Sequence, residues 1–175
     1  MKNMKLERWL SASSATGSVE PFMTVIIQGL GQLDISLAQG DASVRSDAND
    51  LASAQRLSKR ITLSYLWVLG AYELVRTVCQ SLRQNRSLMP VEVSEQFHEL
   101  KSEFNRLRVP LAKMEPASSH PMDYRIALPA IHRDKGIAWQ VGGADFIVRQ
   151  DLADKLLSTL ELMAASAATR GQQPV

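Results

Sequence analysis

"SYLWVLGAYELVRTVC", residues 64–79, is the most apolar stretch of the chain, and its reading decides the fold. The 12 residues from Ile61 to Tyr72 are uncharged, after which Glu73 and Arg76 stand one helical turn apart. Apolar side chains would surround most of a helix here, so the segment reads as a helix packed on several sides. Upstream, "GDASVRSDAND", residues 40–50, is a connector in which Ser46, Asp47 or Asn49 can accept bonds from the amides that open the helix. A helix from about residue 49 to about residue 84, some 50 Å long, is the expected spine.

Downstream of the loop "NRSLMP", Pro90 is placed to open a second helix. Val93, Phe97, Leu100, Phe104, Leu107, Leu111 and Met114 follow at alternating steps of four and three, the cleanest periodic seam in the chain. Pro110 removes a backbone donor, which predicts a kink or an end near Arg108. On the other side of the spine, Ile26, Leu30, Leu33 and Leu37 predict a helix over 22–38. A strand running into a glycine-rich phosphate loop is the rival reading of "TVIIQGLGQLD". That motif needs a third glycine or alanine, a helix and a second strand, whereas Asp34 holds the third position, Gly40 shortens any helix, and no second strand follows. Gly29 and Gly31 then mark flexible points or a close approach by another helix.

Residues 123–148 change period. "YRIALPAI" and "GIAWQVGG" alternate, and "HRDKG" between them has turn chemistry with glycine at a positive-φ position, which predicts a β-hairpin extended by "DFIV". "RQDLADKLLSTLELMAASA" returns to helix with Leu152, Leu156, Leu160 and Met163 inward and Asp151 and Asp154 in the first turn. The expected fold is mainly α: a bundle of about four helices with a long central helix and a small β-hairpin before the C-terminal helix. Residues 1–20 read as a loosely held segment in which Met4, Leu6, Trp9 and Leu10 form one amphipathic turn docked on its own domain. The helical domain spans 21–168, and 169–175 read as a frayed tail.

Apolar residues make up 45% and charged residues 22% of the 175, ordinary globular usage for a chain that can bury roughly 70% of its unfolded surface. A net charge of +2 does not by itself call for a polyanion. Cys79 is the only cysteine and lies among apolar neighbours, which leaves no internal disulfide and no cysteine metal set. The opening residues lack an apolar core of signal-peptide length, and 12 uncharged residues fall short of the roughly 20 that span a bilayer. The expectation is a cytoplasmic protein without a membrane span.

Glu73 and Arg76 are the first candidate polar site. If the two long helices run antiparallel from a loop centred near residue 88, Arg106 and Arg108 reach the level of Leu69 and come within range of Glu73, with Lys113 and Glu115 beyond. A buried carboxylate requires such cations. Glu73, Arg76, Arg106, Arg108 and Lys113 therefore read as one polar cluster, either a structural ion-pair network or an anion pocket. His98, His120 and His132 show no i, i+4 metal spacing, and no G-x-S-x-G turn supports a nucleophile. No metal, cofactor or catalytic residue is expected.

A long central helix, a following helix, an Arg-containing segment and a hairpin resemble the HEPN-type helical domains of bacterial defence and toxin systems. Their ribonucleases use an arginine, a polar residue and, a few positions on, a histidine. "RVPLAK" has Val109 at the polar position and Lys113 at the histidine position; "RIALPAIH", Arg125 to His132, has both end residues but reads as strand. The resemblance implies a degenerate, nucleic-acid-directed member. Arg76, Arg83 and Arg86 with Arg106, Arg108 and Lys113 would supply the cations, although Glu92, Glu95, Glu99 and Glu103 intervene and no aromatic residues interleave. The leading expectation is non-enzymatic protein association, as a homodimer or a partner subunit, because the spine is apolar on several sides.

Overall fold

Trp67 is fully enclosed on the long helix, its ring 6.1 Å from that of Phe104 and its indole N–H donating to the carbonyl of Leu30 at 3.0 Å. Three helices meet at this residue. The computed structural model describes residues 2–18, 20–43, 51–85 and 88–170. Its elements are α1 (Lys2–Ser13), a 3-10 turn (Ser14–Ser18), α2 (Met23–Ser43), α3 (Leu51–Gln84), α4 (Val91–Ala112), β1 (Leu128–His132), β2 (Gly136–Gly142), β3 (Asp145–Val148) and α5 (Arg149–Arg170). The protein is mainly α-helical, with a three-stranded antiparallel sheet ahead of the last helix.

The spine is α3. Trp67, Val68, Ala71, Leu74, Val75, Val78, Cys79 and Leu82 are all buried, so most of the apolar circumference of 64–79 is covered within the chain by α2, α4, α5 and β2, with Leu66 left exposed. Ser46, Asp47 and Asn49, the candidate caps, lie outside the described residues. α4 opens after Pro90, and Val93, Phe97, Leu100, Phe104 and Leu107 are buried along its seam. The helix runs through Pro110 to Ala112, because the missing N–H falls in the last turn, where little helix remains to be broken. Met114 lies past the helix end at φ 57° and is exposed.

On α2, Leu30, Leu33 and Leu37 face the core as expected, but the rest of the inward face differs. Met23, Ile27, Leu30, Asp34 and Leu37, spaced four, three, four and three, are buried, while Ile26 points outward. The charge of Asp34 hides this seam from a search for apolar periodicity. Gly31 is the point where α1 meets α2: a Cβ there would lie 2.6 Å from Trp9 Cβ and Cγ. Gly29 has open space around it.

The loose segment expected over residues 1–20 is instead largely helical, for a physical reason. Trp9 is fully buried, Arg8 grips Glu161 of α5 through two hydrogen bonds of 2.6 and 2.8 Å, and Ala12 and Ser13 are buried. Small polar residues there fill close contacts with α2 and α5. At the other end, Thr169 and Arg170 still belong to α5, and residues 171–175 of the expected tail lie outside the described residues.

The hairpin forms as expected. β1 pairs with β2 from Leu128↔Gln140 to His132↔Gly136, and Gly136 takes φ 77°. His132 Nδ1 accepts the backbone amides of Asp134 and Lys135, closing the turn. "DFIV" forms β3, paired with β2 across an irregularity at Gln140–Gly142. Ile137, Trp139 and Val141 carry β2 into the core. Leu152, Leu156, Leu160 and Met163 line the buried face of α5. Among the described residues, no helix is long and apolar enough to cross a membrane.

Candidate functional site

Asp34 of α2 and Arg149, the first residue of α5, form the most deeply buried polar centre. Asp34 Oδ1 accepts from Arg149 Nη1 at 2.6 Å, and Oδ2 takes Lys5 Nζ at 2.9 Å and the Trp9 indole N–H at 3.2 Å. Lys5 also reaches Asp154 at 2.7 Å, and the Arg149 guanidinium lies 5.5 Å from the centroid of the Trp67 ring. Both carboxylate oxygens are thus occupied by protein donors, and neither Asp34 nor Arg149 is exposed at all. Asp34 takes three protein donors and is sealed from solvent. The centre joins α1, α2 and α5 instead of presenting a reactive group.

The structure does not bring Glu73, Arg76, Arg106, Arg108 and Lys113 together. Glu73 pairs with Arg76 at 2.6 Å along the outside of α3, the side chains 50% and 40% exposed, and Arg76 also donates to Gln80. The enclosed carboxylate expected from the apolar run is therefore half in solvent: a helix buried on most sides still keeps one open edge, and Glu73 occupies it. Arg106 reaches elsewhere, forming two hydrogen bonds with Asp123 at 2.7 and 3.0 Å and one with Asp145 at 2.6 Å. These bonds hold the Asp123 carboxyl below the usual carboxylate range, with the Arg106 charge adding to them and burial opposing. The Arg106 clamp ties α4 to the segment before β1 and to the start of β3. Arg108 stacks over Tyr72 with 5.1 Å from guanidinium to ring centroid, and Lys113 meets Glu115 at 3.6 Å on the surface.

Among the described residues, surface grooves flank α4. One, about 470 Å³, lies against α5 and includes Glu99, Glu103, Asp154 and Lys155, with Lys155 bonded to both oxygens of Glu103 at 2.6 Å. A second, about 340 Å³, includes Leu82, Arg83, Met89, Glu95 and His98. A third, about 360 Å³, is bounded by Tyr72 of α3, by His98, Lys101, Ser102 and Asn105 of α4, and by Ser118 and Ser119 of the following turn. Cys79 is buried, donates to the Phe97 carbonyl at 3.4 Å, and has its thiol pushed up chiefly by burial. His120 stands 3.0 Å from Ser119 Oγ, and His132 is engaged in the hairpin turn. Among the described residues, no group of three or more His, Cys, Asp or Glu side chains is placed to hold a metal ion.

The two HEPN-type candidates fall at different kinds of position in the fold. Arg125 precedes β1 and His132 closes it, while Arg108 and Lys113 fall on either side of the end of α4. No protein-family model, curated protein or solved structure matches the chain. Sequence reasoning missed Asp34, Arg149, Lys5 and the groove of Tyr72 and Lys101. The usable signal for the first was Asp34 filling a gap in the 23–27–30–37 seam, a charge at a core position that demands a buried cation.

Proposed function

We propose that the chain is a non-enzymatic helical association module that pairs with a second copy of itself through the outer face of α2. The observation that carries this reading is the exposed run Phe22, Val25 and Ile26, which are 77%, 70% and 50% exposed on adjacent turns. These residues recur at the i, i+3 and i+4 spacing of a helix–helix seam. Exposed apolar side chains grouped in this way mark association surfaces, whereas scattered ones need no explanation. A second copy is the occupant because the stretch between Glu20 and Asp34 carries no charge. Such a face offers nothing to select a charged partner and is self-complementary about a two-fold axis. The Asp34 centre, fully buried and with both oxygens engaged by protein donors, fits a scaffold better than an active site.

Sedimentation equilibrium from about 1 to about 100 µM tests the reading. The full chain is expected to dimerise in that range, and Ile26→Glu to sediment as a monomer with unchanged helical circular dichroism. A wild-type chain that stays monomeric throughout overturns it.

A further inference from the structure

We infer that the groove between Tyr72, Lys101 and the Ser118–Ser119 turn is a binding site for the phosphate group of a small phosphorylated molecule. His98, Lys101, Asn105 and Arg108 recur on α4 at steps of three, four and three, which puts them on one face. Every side chain bounding the groove can donate a hydrogen bond, and none is a carboxylate.

The charges of α4 are sorted by side. Glu99 and Glu103 border the α5 groove, where Lys155 neutralises Glu103, while Lys101 borders the Tyr72 groove. Neither Lys101 nor Arg108 forms an ion pair among the described residues; Lys101 lines the groove, and Arg108, outside its lining, stacks on the ring of Tyr72. A lysine free of carboxylates beside three serine hydroxyls, an amide, an imidazole and a phenol matches the needs of a phosphate. A dianion with three terminal oxygens requires several donors and a positive field together.

The wall opposite α4 is held in place before any ligand arrives. Ala117 is fully buried, the His120 amide donates to the Ala117 carbonyl at 2.8 Å, and the Asp123 amide donates to the His120 carbonyl at 3.0 Å. Arg106 clamps Asp123 at 2.7 Å. A turn fixed in this way binds without a large ordering cost. About 360 Å³ suits a small molecule. The adjoining groove, which shares His98, includes Glu95, and a carboxylate there opposes a polyanion laid along both grooves. That favours a single phosphate over a nucleic-acid strand.

Titration of the 15N-labelled 175-residue chain with inorganic phosphate, against sodium chloride at equal ionic strength, tests the site. Amide shifts at Lys101, Ser102, Ser118 and Ser119 should saturate with a dissociation constant on the order of 1 mM. Lys101→Gln should weaken binding about tenfold with an unchanged melting temperature, and Ile26→Glu should bind as the wild type does, which separates this result from the dimer reading. Shifts that chloride reproduces, that fail to saturate, or that saturate in Lys101→Gln with the wild-type affinity overturn the inference. So does a single-stranded RNA that binds more tightly than phosphate through the same residues.

Discussion

Asp34 and Arg149 stand 115 positions apart in the chain and meet at 2.6 Å with neither side chain exposed. Removing one member of a buried ion pair strands the other in a medium that solvates it poorly, at a cost of about 3–5 kcal/mol. Asp34→Ala is expected to lose that much stability in urea denaturation, since Arg149 would remain against Trp67 without its carboxylate. Lys5→Ala should cost about 1 kcal/mol, because Lys5 is partly in solvent and Asp34 keeps Arg149 and Trp9. Equal losses for the two variants would show that the centre is not organised around Asp34 and Arg149.

The same pair marks the limit of what the sequence discloses. The seam of α4 is legible because Val93, Phe97, Leu100, Phe104 and Leu107 are all apolar and all inward, so one property reports one direction. α2 is legible only in part on that criterion: Leu30, Leu33 and Leu37 face inward as expected, but the inward face also includes Asp34 and the outward face Val25 and Ile26, so apolar spacing admits Ile26 and leaves out Asp34. The hairpin is legible from local turn chemistry at Gly136. Arg149 is not, since only the tertiary fold brings a helix-opening arginine to a carboxylate on α2. For the candidate cluster, helix spacing finds Glu73 with Arg76, the i, i+3 pair. Arg106 escapes that logic because its partners lie on loop and strand.

Two of the three glycines of α2, Gly29 and Gly31, should respond in opposite directions. Gly31→Ala places a methyl 2.6 Å from Trp9 Cβ, an atom held close to the backbone of α1 that cannot swing aside. The expected loss is about 1–3 kcal/mol, with faster proteolysis within α1. Gly29→Ala meets nothing within 4 Å and should gain about 0.5–1 kcal/mol from helix propensity, measured at concentrations below self-association. Thermal melts of both variants check the contrast, and a neutral Gly31→Ala would mean that α1 does not dock through Trp9.

Glu73→Gln should be close to silent. Its pair with Arg76 is half exposed and local to one helix, a geometry worth about 0.3–0.5 kcal/mol. Added salt at about 1 M should erase even that difference. A loss above 1 kcal/mol in urea denaturation would require Glu73 to have a further buried partner.

Asp123 gives the fold a specific sensitivity to acid. Hydrogen bonds from Arg106, opposed by burial and reinforced by the charges of Arg106 and His120, hold its carboxyl below its ordinary value in the folded chain. The unfolded chain therefore binds the proton at the higher pH, near about 3.9, and acidification favours unfolding. The stabilisation is fully present above that unfolded value and is lost as pH falls through the lower folded one. Asp123→Asn should cost about 1–3 kcal/mol at pH 7 and flatten the fall in stability between about pH 5 and pH 2. Glu161, held down by Arg8 in the same sense, contributes equally to both chains, so it cancels in the difference. Urea denaturation of wild type and variant across that interval measures the effect. Parallel curves would mean that Arg106 gives Asp123 no more support folded than unfolded.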